Sequence, residues 1–188
     1  ADYYNLRPKG NVERTSADVH LNLMAVMEDL ARTLSQLLPA AQEMEVWLYG
    51  GWTTELGQYS PAGWWVLQAL PLMKGHRAGL RVIPRMVTAA ACRPADELKG
   101  LYRVNVRVPR QKMVDELMTV DALHSCTEPG RVLALASDDD DMVPAVVAAS
   151  SQASHPVLLL RKRSAGKGAN DGLLMKCGVR VCTIVGAY

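Results

Sequence analysis

The sequence predicts an α/β fold, a three-layer α/β/α sandwich with a mainly parallel central sheet, on three observations. Short apolar runs alternate with stretches of helical periodicity along most of the chain. The runs at 131–136 and 155–160 are close to continuously apolar, as expected of strands buried on both faces of a helix-covered parallel sheet. Proline and glycine fall where one pattern gives way to the next. Alternation of this kind builds a parallel sheet with right-handed crossovers.

Taken in order, Val19 to Leu38 carries Leu23, Met27, Leu30, Leu34 and Leu37 at helical spacing, and Pro39 stops it. Glu45–Tyr49 follows as a strand ended by Gly50 and Gly51. Residues 61–73 read as a helix opened by Pro61, and Leu80–Ile83 as the next strand. Leu101–Val108 alternates partly, which suits a short edge or hairpin strand. Gln111–Cys126 reads as a helix, 131–136 as a strand, and 142–149 as a helix with Pro144 tolerated in its first turn. Residues 155–160, 170–176 and 179–185 then read as strand, helix and strand. Asp2–Asn5 looks like the end of a first strand whose body is truncated at the N-terminus.

A length of 188 residues suits one domain with a sizeable core, expected to span 1–188. Apolar residues at 49% and charged residues at 21% exclude a disordered chain. A net charge of +2 gives no global bias toward a polyanion, so local clusters must carry that argument. No run of 18 apolar residues occurs, so neither a membrane span nor a secretory leader is expected. Cysteines at 92, 126, 177 and 182 have no paired CxxC spacing, which argues against zinc and for reduced, mostly buried thiols of a cytoplasmic protein. His124 and Cys126 lack a third partner for thiol catalysis.

The segment with most chemical content is Asp138-Asp139-Asp140-Asp141, where a buried strand hands over to a helix. Ligands of open α/β sheets bind outside the carboxyl ends of the strands. Helix capping and dipole compensation need one or two acids there. Four in a row repel one another, and a bound cation is the direct compensation.

Two further segments place aspartate near an element boundary: Asp2-Tyr3-Tyr4-Asn5, and Lys112-Met113-Val114-Asp115 with Asp121 six residues on. With Ser137-Asp138-Asp139-Asp140-Asp141-Met142-Val143-Pro144 they resemble, in order and spacing, the NYN domain of the PIN-like nuclease superfamily. That family carries D-x-x-N, K-G-V-D and S-G-D-S-D-F-V-P motifs. The departures are Met113, Asp138, Asp140 and Met142, and none removes a carboxylate. The resemblance implies a PIN-like fold and a metal-dependent ribonuclease. Asp2, Asp115, Asp139 and Asp141 would be catalytic residues holding Mg²⁺ or Mn²⁺, and Asn5 would orient a ligand or phosphate. Such hard cations prefer carboxylate oxygen and water, and need no protein nucleophile beside them. Asp121 lies about 120° around the helix from Asp115, so it is expected in a supporting role. Asp138 and Asp140 are expected to point elsewhere, as solvated or capping residues.

Arg161, Lys162, Arg163 and Lys167 follow a buried strand and should flank the acidic edge, with Arg7, Lys9, Arg110 and Lys112 as further contacts to a nucleic-acid backbone. The bland alternative for 161–168 is a solvated loop; Ser164–Gly168 lacks the spacing of a P-loop. Trp52, Trp64 and Trp65 are candidates for stacking bases, although apolar neighbours favour packing for the last two. The leading expectation is an endoribonuclease acting on RNA, with DNA as a further possible substrate and no membrane partner. The rival is a PIN-like module that binds RNA or protein without cutting. A phosphohydrolase with an Asp nucleophile fits less well, because Tyr4 occupies the position where its second Asp would stand. Oligomeric state has no signal in the sequence.

Overall fold

A computed structural model describes residues 1–7, 15–52, 58–87, 104–105, 108–109, 114–163 and 166–186. The chain divides into two compact units, Arg7–Val114 and the pair of segments Ala1–Leu6 and Asp115–Tyr188.

In the first of these, helix α2 (Ser16–Leu37) follows the four-residue helix α1 (Tyr3–Leu6) of the other unit. Thr15 caps α2: its hydroxyl accepts from the Asp18 N–H, and the Asp18 carboxylate accepts from the Thr15 N–H. Strand β1 (Glu43–Leu48), helix α3 (Pro61–Met73), β2 (Gly75–Arg77) and β3 (Leu80–Met86) complete a sheet of order β1-β3-β2. Strands β1 and β3 are parallel. Strand β2 is antiparallel to β3, joined by a turn in which Ala78 and Gly79 both have positive φ. Helices α2 and α3 pack on each other and against β3. Met44, Val46, Leu48, Leu80 and Val82 are buried, whereas Glu43 pairs with Arg81 and Glu45 with Arg85 on the alternate positions. Two-residue strands β4 (Val104–Asn105) and β5 (Val108–Pro109) form a separate antiparallel ladder, within reach of the hairpin expected near 101–108.

The other unit holds α1, helix α4 (Val114–Ser125, whose first residue falls in the Arg7–Val114 unit), β6 (Ala134–Ala136), a 3₁₀ turn at Asp140–Met142, α5 (Val143–Gln152), β7 (Leu158–Arg161), α6 (Asp171–Lys176) and β8 (Arg180–Thr183). Its sheet is all parallel, in the order β6-β7-β8. Every residue of the central strand β7 is buried, as the continuous apolar run requires. Strand β6 is shorter than the run 131–136, because Arg131 and Val132 stay exposed and Arg131 pairs with Glu128 at 2.9 Å.

The parallel α/β expectation therefore holds for this unit, but the described strands form three sheets where one central sheet was expected. The strand expected to end at Asp2 is a one-residue bridge, and Tyr3 already begins α1. Among the described residues no helix is long and apolar enough to cross a membrane. Of the described cysteines Cys126 is buried, Cys177 is exposed and Cys182 is intermediate, so burial of the thiols is less general than expected.

Trp52 is fully buried and its indole N–H donates to the Leu48 carbonyl at 3.3 Å. It is core, and the expectation that it stacks bases is corrected accordingly. A Cβ on Gly63 would stand 2.2 Å from the Trp52 carbonyl oxygen. Helix propensity alone favours alanine over glycine by about 1 kcal/mol. Overpacking against backbone costs about 1–3 kcal/mol, so the clash wins. Gly63→Ala is expected to destabilise the protein by about 1–2 kcal/mol net, read from the midpoint of urea unfolding. A stabilised variant would contradict this packing of Trp52 on α3.

Candidate metal centre

The acidic edge is built at the carboxyl end of β6. The Ala136 carbonyl accepts from the Asp2 N–H at 2.9 Å, while the Ser137 N–H donates to the Leu160 carbonyl of β7 at 3.1 Å. Neighbouring residues of a strand bond to opposite sides, so Asp2 lies along the edge of β6 away from β7. Ser137 is fully buried; its hydroxyl donates to the Asp2 carboxylate at 3.4 Å and accepts from the Asp139 N–H at 3.1 Å. Asp139 caps the 3₁₀ turn by accepting from the Asp141 N–H at 3.0 Å. Met142 is buried beneath that turn, and Pro144 sits in the first turn of α5, where no N–H is needed. Asp115 stands in the first turn of α4 with Glu116. Asp2, Asp139 and Asp141 are thus linked through Ser137 and the turn, and Asp115, in the same unit, feels the charge of all three. Among the described residues no three acidic, histidine or cysteine groups stand close enough together to hold a metal ion as they are.

The other two acids of the run face the end of β7. Asp138 accepts from the backbone N–H groups of Lys162 at 2.8 Å and Arg163 at 3.3 Å. Asp140 accepts from the Arg161 guanidinium at 2.8 Å and from that of Arg163. Their expected role as solvated or capping residues is corrected: they bind the basic segment. Arg161 is correspondingly not a surface contact for nucleic acid. It is the last residue of β7, fully buried, and its Nε lies 3.2 Å from the carboxylate of the fully buried Asp171. Asp171 also accepts from the N–H groups of Gly166 and Gly168, each at 2.9 Å. The glycine-rich loop therefore cradles an anion, but the anion is the protein's own carboxylate. A Cβ on Gly168 would meet Asp171 at 2.5 Å, so glycine is required by close approach. Asp171 was missed in the sequence. Its one signal there is a pair of glycines three and five residues before an acid at a helix start.

Of the remaining candidates, Lys162 and Arg163 are half-buried, and Lys167 is exposed. Arg7 is half-buried in the other unit. The side chain of Asn5 and residues Lys9, Arg110 and Lys112 lie outside the described residues. Asp121 is half-buried within α4. Trp64 is half exposed and its ring centroid lies 6.4 Å from that of Tyr59, whereas Trp65 is less exposed.

The charges divide as the contacts do. Partial burial and then the charges of Asp2, Asp139, Glu116 and Asp141 push the Asp115 carboxyl above its ordinary value. The helix N-terminus favours a negative charge there by about 0.3–1 kcal/mol, and is outweighed. For Asp140, partial burial acts in the raising direction but is outweighed by the hydrogen bond and charge of Arg163 and then by Arg161, so its carboxyl is held low. A raised carboxyl makes the folded state the better proton binder above pH 3.8, so its support for folding is complete below that pH and is lost as pH rises through the raised value. The lowered Asp140 contributes above its ordinary value, and that contribution is lost as pH falls through the lowered one. Asp115→Asn is therefore expected to raise the melting temperature at pH 7 in divalent-free buffer. The gain should shrink as pH falls toward 3.8. A gain that does not change with pH, or a loss at pH 7, would contradict carboxylate crowding.

Comparison of the chain with protein-family models, with curated proteins and with solved structures found no match.

Proposed function

We propose that the chain is a Mg²⁺- or Mn²⁺-dependent endoribonuclease of PIN-like type, with Asp2, Asp115, Asp139 and Asp141 as the carboxylates that hold the cation. The observation that carries this reading is the crowding at Asp115, whose carboxyl is raised first by burial and then by neighbouring acids that include three aspartates drawn from two other segments of the chain. Like charges gathered at a strand end destabilise the fold unless something positive joins them. The nearby guanidinium groups of Arg161 and Arg163 are taken by Asp140.

The donor set fits a hard cation, being all carboxylate oxygen. Because Mg²⁺ keeps several waters, one or two of these carboxylates in direct contact and the others through water would suffice. When bound, such a cation supplies an activated water and neutralises charge on the scissile phosphate. Ser137 fixes the relative position of Asp2 and the Asp139 backbone through its two hydrogen bonds. Asp139 keeps its remaining carboxylate oxygen for the cation while Oδ1 holds the turn. Asn5 would orient a ligand or phosphate. Lys162 and Lys167 are the candidates in this unit for sequence-independent contacts to phosphate. RNA is the proposed substrate, with DNA as the comparison.

Asp139→Asn tests this directly. An amide oxygen can still accept from the Asp141 N–H, so the cap survives while the charge is lost. Wild-type protein is expected to cleave single-stranded RNA with Mn²⁺ and to stop with EDTA. Losing a metal ligand is expected to remove about 4 kcal/mol of transition-state stabilisation, roughly a thousandfold in rate. EDTA-resistant hydrolysis by the variant would overturn the mechanism. Retention of RNA by the wild type without cleavage in Mn²⁺ would instead favour the PIN-like binding module.

A further inference from the structure

We propose that Arg161 and Asp171 form a positioning pair for the acidic edge, setting Asp139 and Asp141 in place by anchoring the acid that lies between them. The inference rests on the endoribonuclease reading for what the edge does, and on the described contacts for how it is held.

The four-acid run is divided by alternate positions. Asp138 and Asp140 are tied to the end of β7, through the amides of Lys162 and Arg163 and through the guanidinium groups of Arg161 and Arg163. Asp139 and Asp141 act on Asp115. In so tight a turn, fixing the even positions fixes the odd ones, because each odd residue has an anchored neighbour on one or both sides. The anchor is itself anchored. Arg161 has no exposure and is the last residue of the central strand, so its guanidinium cannot follow a moving partner through solvent. The Asp171 carboxylate forms an ion pair with its Nε at 3.2 Å, and the loop amides of Gly166 and Gly168 hold Asp171.

A pair that served only to satisfy itself would leave no polar atom over. Here Nε and Nη1 of Arg161 and Oδ1 of Asp171 are all buried without a hydrogen-bond partner, so the 3.2 Å contact between Nε and Oδ1 is an ion pair only. The pair is thus incompletely compensated inside the protein, although replacing a buried ion pair by neutral groups is often neutral or stabilising. What the charged pair adds over an apolar one is the reach of Nη2 to Asp140. Groups that orient metal-holding residues commonly change metal affinity by about 10–100-fold when replaced.

The test replaces both charges together, Arg161→Met with Asp171→Asn, so that neither is left buried alone. Asparagine can still accept from the Gly166 and Gly168 N–H groups. Two quantities are read on the full chain: Mn²⁺ affinity by electron paramagnetic resonance, and amide exchange at Asp141 compared with Leu159 in β7. The expected result is retained protection at Leu159, faster exchange at Asp141, and Mn²⁺ affinity lower by about tenfold. Unchanged exchange at Asp141, or unchanged Mn²⁺ affinity, in a variant that keeps Leu159 protected would overturn the proposal. If the double variant fails to fold, Arg161→Lys keeps the charge but lacks the fork that spans Asp140 and Asp171; the same two readouts then decide with the same signs. Should wild-type protein bind no Mn²⁺, the endoribonuclease reading falls, and exchange at Asp141 alone decides the positioning role.

Discussion

A guanidinium with no exposure at the end of a parallel strand constrains everything around it. Removing an ion from water costs several kcal/mol even after relaxation, so Arg161 can exist there only with acids brought to it. Asp171 comes from the start of α6 and Asp140 from the turn after β6. Asp171 then needs partners of its own, which come as two backbone N–H groups from the loop before it. That loop must pass so close that position 168 has no room for a side chain. One buried charge thus ties together a strand end, a helix start, a glycine loop and the acidic turn.

The same constraint explains the length of the acidic run. Two carboxylates suffice to cap a short helix, and Asp139 does cap the 3₁₀ turn. Four residues allow alternate positions to do different work. Asp138 and Asp140 neutralise the end of β7, and their attachment there leaves Asp139 and Asp141 crowded with Asp115. The arginines hold the Asp140 carboxyl low, whereas burial and then the neighbouring acids push that of Asp115 up.

How much of this was legible depended on the distance over which a residue's environment is set. Helix α3 matches residues 61–73 because Pro61 and its own apolar run decide it locally. Strand β7 was visible as an apolar run, yet the run appeared to stop at Leu160. Arg161 continues the strand because its compensating acids lie 10 and 21 residues away, which no local pattern records. Trp52 reads as an available aromatic until Gly50 and Gly63 bring backbone against it. The β2–β3 hairpin was missed because Gly75–Arg77 is short and exposed, with no buried alternation to mark it. The convergence of Asp2, Asp115 and Asp139 was expected from element boundaries, and of these Asp115 opens a helix while Asp2 lies in a one-residue bridge. The division of labour within 138–141 was not, because it depends on the partner strand.

Burial also decides which charges can serve a polyanion. The Arg81–Glu43 pair is exposed on both sides, and pairs of that kind contribute about 0–1 kcal/mol. Segment 161–163 differs, for its three basic residues stand among the three acids Asp138, Asp140 and Asp171. Its two guanidinium groups are paired with Asp140 and Asp171, while the acids around Asp115 crowd one another. A phosphate backbone meeting that set alone would be repelled. On the endoribonuclease reading the cation therefore has two consequences for the chain's own residues. It would relieve the crowding that raises Asp115, and it would lower the negative charge of the surface RNA must approach. Binding of RNA and of the divalent ion would then be linked, each strengthening the other by the same factor.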